Sequence, residues 1–176
     1  SAKRASSLFV TSMDVDASSE FLLRRAQFLS IGIPFEQADT DTRQQARTIV
    51  QEMGGFPLAL DQAGAYLDEK GCSLDTYLTL YQRQRTAFFN EYGEATDEHR
   101  ASVTSTLEVT IAQVTQKRAT NLDLLRLLAF LQPESIPEEL LSKGAEELSE
   151  PLRSLVTDQM SLLDALADLR NFSLIH

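Results

Sequence analysis

Chemistry needs particular side chains at particular spacings, and this chain offers few. Cys72 stands alone, and the two histidines, His99 and His176, lie too far from it and from each other to give a zinc-ligand spacing. A single cysteine also excludes an internal disulfide and suits a reducing compartment. No G-x-x-x-x-G-K-[ST] is present to cradle phosphates, and no G-x-S-x-G to present a nucleophilic serine. Glu138 and Glu139, like Glu146 and Glu147, are sequence neighbours, which places each pair on different faces of a helix and reads as solvated surface. His99, within "DEHRAS", reads as a loop residue. Tyr77 and Tyr81, at i and i+4, read as a core or interface stripe. No enzyme contained within these residues is expected.

One local motif remains, "GGFPLAL" at 54–60. Gly54 falls where a helix C′ residue belongs, because glycine takes the left-handed conformation without a Cβ penalty. Phe56 precedes a proline and is biased toward extended backbone. Pro57 suits the first position of a following helix, where its missing N–H would have lacked a partner anyway. By itself this is a helix junction.

Composition sets the frame around it. The chain has 176 residues, 43% of them apolar and 24% charged, enough for one domain or two small ones with a real core. No apolar run is long enough to span a membrane, and the basic start "SAKRASSLFV" has too short an apolar part for a signal peptide. Twenty-six acids against sixteen bases give a net charge of −10, which disfavours binding to a phosphate backbone.

The elements that position the motif read as helices. "SLFVTSM" at 7–13 has a strand-like look. Ser18 or Ser19 is expected to cap a helix running to about Ser30, and Asp41 or Thr42 to start a second one ending at Met53. The third, about 58–70, is apolar nearly all round and therefore central, with Ala63 and Gly64 allowing a neighbour close. Ser73 caps a fourth helix to about Arg85, and "NEYGEATDEHRAS" reads as a loop. Helices follow over 102–116, over the leucine-rich and buried 122–131, after Pro137, and within "EPLRSLVTDQ" and "SLLDALADLRNF". "SLIH" then begins a strand. Both ends look cut from a longer chain.

Six stretches in order, "MDVDASSEFLLRRA", "GGFPLALDQAGAYL", "SLDTYLTLYQRQR", "SVTSTLEVTIAQV", "LLRLLAFLQPESIPEELL" and "LLDALADLRNFSLIH", resemble STAND-class NTPases with an NB-ARC module, most of all members followed by tetratricopeptide repeats. The resemblance implies an all-α fold, a helical bundle followed by a partial winged-helix domain, with short strands only at the two ends. It implies the last strand of an upstream nucleotide-binding domain at 1–14, a helical domain at 15–95, and a linker helix with partial winged helix at 96–176. Gly55, Phe56, Pro57 and Leu58 match the family's glycine-x-proline turn, whose proline packs beside adenine. The Walker lysine, the magnesium-binding acid and the arginine sensor are all missing from these residues. The winged-helix histidine that reads the β-phosphate of ADP lies further on, and His176 is not it.

What the resemblance implies for function is the regulatory part of a signalling ATPase. ADP or ATP with magnesium would be held by a P-loop domain upstream in the same chain, and the active parent would hydrolyse ATP and form a homo-oligomer in the cytoplasm. This stretch alone would bind no cofactor. ADP would clamp the helical and winged-helix parts against the nucleotide domain; ATP exchange would release the winged helix. A hinge is expected near Gly93. An all-helical adaptor with no nucleotide link is the alternative. A winged-helix DNA-binding regulator is disfavoured, because its recognition helix would expose Asp164 and Asp168 with only Arg170 to offset them.

Overall fold

The structure is a computed structural model that describes residues 13–93, 97–131 and 136–175. All regular structure among these residues is helical, as expected. The strand expected over 7–13 lies outside them, apart from Met13.

Helix α1 spans Val15–Arg25. Its cap is Asp14, whose carboxylate accepts the N–H groups of Asp16 and Ala17 at 3.0 Å each. That corrects the expected serine cap: Ser18 and Ser19 lie one turn inside the helix and are buried. The helix also stops earlier than expected. Gln27 enters the left-handed region (φ 60°), and Phe28 donates to the Leu23 carbonyl at 2.9 Å, which closes the helix C-terminus. Helix α2, Thr40–Met53, begins on the Asp39 carboxylate, one turn position ahead of the sequence expectation. A single 3₁₀ turn, Phe35–Gln37, lies in the connector between α1 and α2.

Helix α3, Pro57–Lys70, is the central element. Ala59, Leu60, Gln62, Ala63, Gly64, Ala65, Tyr66 and Leu67 are all buried, with α1 on one side and α5 on another. Gly64 is what permits the α1 contact. A Cβ there would lie 2.6 Å from Cβ and 2.5 Å from Cγ of Arg25.

Helix α4 runs over Leu74–Tyr92 and packs along α5, Glu98–Lys117. Both reach into the stretch expected to be a long loop, α4 as far as Tyr92 and α5 from Glu98 onward. Phe88 explains the extension, because it buries its ring beyond Arg85 and keeps α4 on the core. Tyr77 and Tyr81 are fully buried, as their spacing predicted.

The C-terminal helices are α6 (Thr120–Phe130), α7 (Glu138–Lys143), α8 (Leu152–Thr157) and α9 (Gln159–Asn171), with a 3₁₀ turn at Ala145–Glu147. Helix α6 packs on α5 and α9, and α8 on α9. Leucine density misled the reading of α6. Leu124 is buried, but Leu125, Leu127 and Leu128 are only partly so, and Phe130 is 90% exposed.

"SLIH" is a turn rather than a strand over the described residues 173–175. Ser173 takes φ 52°, donates to Arg170 at 2.9 Å, and is followed by Leu174 donating to Leu169 at 3.0 Å. These two bonds satisfy the last carbonyls of α9, and no described strand lies alongside to compete for the backbone. The turn reaches back to the first helices. Phe172 is fully buried with its ring 6.2 Å from that of Tyr66, and Arg25 donates to Ser173 Oγ at 3.0 Å. Lys117 adds contacts to Glu69 and to Asp168. Asp168 therefore faces α5 instead of solvent, unlike Asp164, which is exposed as expected.

Candidate functional site

The turn between α2 and α3 is built from its backbone outward. Gly54 and Gly55 are both left-handed, at φ 72° and 66°. Gly54 donates to Gln51 at 3.3 Å and Gly55 to Val50 at 3.1 Å, so two of the last carbonyls of α2 are satisfied by the glycines themselves. Phe56 follows in extended backbone (φ −76°, ψ 119°), and Pro57 opens α3 at its first position. The junction expected from the sequence is the one observed.

Three helix starts converge here. Gly55 is buried against the entrance of α1: a Cβ would meet the Met13 carbonyl at 3.4 Å and Ser18 Oγ at 3.6 Å. Ser102, from the first turns of α5, donates its buried hydroxyl to the Met53 carbonyl at 2.7 Å. His99, also from α5, sets its ring edge-on to Phe56 with centroids 4.3 Å apart. His99 thus belongs to a helix and to this site, contrary to its reading as a loop residue. Sequence reasoning missed both α5 residues. The available signal was Asp97, which caps α5 by accepting the His99 N–H at 3.0 Å.

The four residues singled out from the sequence divide by exposure. Gly55 is buried and Phe56 half-buried, while Pro57 and Leu58 are exposed, Leu58 by 52%. Val15 is exposed beside the start of α1. Nearby charge is committed: Arg47 donates to Asp16 at 2.7 Å and holds that carboxyl below its ordinary range. The result is an apolar edge at the start of α3.

Among the described residues no cluster of three His, Cys, Asp or Glu could hold a metal ion. Burial pushes the Cys72 thiol up, away from the thiolate form a nucleophile needs. Glu138, Glu139, Glu146 and Glu147 are exposed, as expected. No described helix is long and apolar enough to cross a membrane.

A second feature was not anticipated. Between α6, α7 and α9 lies an open groove of about 470 Å³, lined by apolar side chains of all three helices and by Leu174 and Ile175, with Glu138 and Arg170 also lining it. Its origin is the outward-facing leucines of α6.

A family model described as a domain of unknown function (DUF7779) matches residues 112–176, from the last turns of α5 to the end of the chain. No curated protein and no solved structure matches the chain.

Proposed function

We propose that this chain is the regulatory helical part of a nucleotide-dependent signalling switch, in which the turn at 55–58 meets the adenine of ADP or ATP held by a nucleotide-binding domain upstream. One observation carries the reading. Helix α3 buries most of its middle, from Ala59 to Leu67, yet its first turn presents Pro57 and Leu58 to solvent directly after two left-handed glycines. An apolar edge left uncovered at the start of a central helix supports a contact surface. The bound nucleotide would supply a charge difference between its ADP and ATP forms. This chain would contribute the apolar seat for the base and would read that difference only through contacts that differ between the two states.

The same reading gives the remaining helices a role. The division into a helical domain at 15–95 and a linker helix with partial winged helix at 96–176 belongs to this proposal. The turn after α9 ties the C-terminal helices to α1 and α3 through Phe172 and the bond from Arg25 to Ser173, so displacement of α9 is felt by the helix that carries the adenine seat. ATP hydrolysis, magnesium binding and tetratricopeptide repeats would belong to the rest of the parent chain.

Photolabelling tests the placement of the base. A chain extended through its upstream nucleotide domain, irradiated with 8-azido-ADP and digested, is expected to carry the label on the peptide containing residues 55–58, and excess ADP is expected to remove it. Labelling that avoids this peptide, or an upstream reading frame without a P-loop, would overturn the proposal and leave the adaptor reading in its place.

A further inference from the structure

The connector between α1 and α2 carries an apolar patch on a braced backbone. Ile31 is 96% exposed, and Phe28, Ile33 and Pro34 near it are exposed as well. Single exposed apolar residues are ordinary, but several on one short loop form a patch. Leu29 and Phe35 bury their side chains and anchor the loop to the core. Arg24 donates from beneath to the Ser30 carbonyl at 2.8 Å and to the Ile33 carbonyl at 2.9 Å. Gln27 and Gly32 take left-handed backbone to shape the path. Docking costs a loop held by such bonds less conformational freedom than it costs an unbraced one.

The charge beside the patch has mainly one sign. Residues 26–42 contain Glu36, Asp39 and Asp41 but no Lys or Arg. All three acids are exposed. Asp39 accepts the Thr42 N–H at 3.1 Å, which holds its carboxyl below the ordinary range and keeps it ionised. The neighbouring cations are already engaged: Arg24 pairs with Glu20, Arg47 pairs with Asp16, and Arg43 donates to the Ala38 carbonyl at 3.1 Å. An apolar patch flanked by acids is matched by an apolar surface flanked by bases. An anionic bilayer or a phosphate backbone is repelled by the same acids. A second copy of this chain, with its net charge of −10, is a poor match as well.

We propose that the loop at 28–34 is a docking site for another protein, one that offers it apolar side chains edged with Lys or Arg. Ile31 is the centre of the contact, Phe28 and Ile33 flank it, and Glu36 and Asp41 steer the partner and fix its orientation. A patch of this size gives a weak, transient contact. It uses neither the turn at 55–58 nor a nucleotide, so it stands or falls separately from the function proposed above.

Nuclear magnetic resonance of the isotope-labelled 176-residue chain tests this with two designed peptides. One is an amphipathic helix with leucine along one face and lysine along the other; the second has glutamate in place of every lysine. The leucine–lysine peptide is expected to shift the amide signals of residues 27–41, and the leucine–glutamate peptide to leave them in place. Ile31→Ser, at a side chain with almost no contacts to lose, is expected to weaken the first peptide about tenfold. Glu36→Gln combined with Asp41→Asn is expected to weaken it about threefold, and by less at high salt. Shifts that fall elsewhere on the chain, equal binding of the two peptides, or an affinity indifferent to Ile31→Ser would each overturn the proposal. So would self-association, or binding to phosphatidylcholine vesicles, that Ile31→Ser abolishes, because a second copy or a bilayer would then be the occupant. Amide signals unchanged outside the loop keep misfolding of the variants apart from lost contact.

Discussion

Replacing Gly64 by alanine tests the packing that places α3 at the centre, because two effects of opposite sign compete there. In an open helix the change would stabilise by about 1 kcal/mol through helix propensity. Here the added methyl would meet Arg25 at 2.5 and 2.6 Å, and the atoms met are Cγ and Cβ. Those atoms sit at the base of the side chain and move only with α1. Forcing a methyl into such a contact costs about 1–3 kcal/mol. The shift also disturbs the Arg25 guanidinium, which donates to Asp61 at 3.1 Å and to Ser173 at 3.0 Å, at roughly 1 kcal/mol or more for the hydrogen bonds. The clash and the lost bonds outweigh propensity, for a net loss of about 1–3 kcal/mol, or a fall in Tm of roughly 2–12 °C in a chain of this size. Urea unfolding followed by far-ultraviolet circular dichroism measures it. A Gly64→Ala protein more stable than wild type would show that α1 and α3 are not in this close contact, and the account of the core would fail.

Two further outcomes follow from buried groups. Ser102→Ala removes the hydroxyl that donates to the Met53 carbonyl at 2.7 Å and is expected to lower unfolding free energy by about 1–2 kcal/mol, while raising hydrogen exchange at the end of α2. Burial drives the Tyr77 hydroxyl far above the ordinary tyrosine value of 10.0. Below that value the folded and unfolded chains are both neutral at this residue. Above it only the unfolded chain ionises, so stability falls by up to about 1.4 kcal/mol per pH unit from this residue. Tyr77→Phe is expected to blunt that alkaline loss in urea titrations at a series of pH values, and an unchanged slope would refute the assignment.

The parts of the fold that were legible in the sequence are those set by local backbone chemistry. Gly54 and Pro57 bracket their junction by the conformations only they adopt easily, and the spacing of Tyr77 and Tyr81 fixed their inward face. Errors arose where tertiary contact overrode local pattern. Ser18 and Ser19 look like caps but face the core, and Asp14 does the capping. The polar stretch after Arg85 stays helical because Phe88 is buried. "SLIH" has strand composition, yet with no described strand beside it the backbone turns back onto α9. For the partners of the candidate site, Asp97 could signal the start of α5 but not what that helix touches. His99 and Ser102 lie more than forty residues from Phe56 and Met53 in sequence, and nothing in their neighbourhood announces the contact.

The central claim is that the edge formed by Pro57 and Leu58 belongs to a nucleotide site completed by another domain. Calorimetric titration of ADP into the 176-residue chain, and into the same chain joined to its upstream nucleotide domain, tests it most directly. Pro57→Glu is the variant of choice, since an acid is favoured in the first turn of a helix and α3 is kept intact. The account predicts no binding by the shorter chain, binding by the joined protein, and about tenfold weaker binding, or ~1.4 kcal/mol, with Pro57→Glu. A joined protein that ignores ADP, or one whose affinity is indifferent to Pro57→Glu, would contradict the claim and reduce the two glycines and the proline to a helix junction.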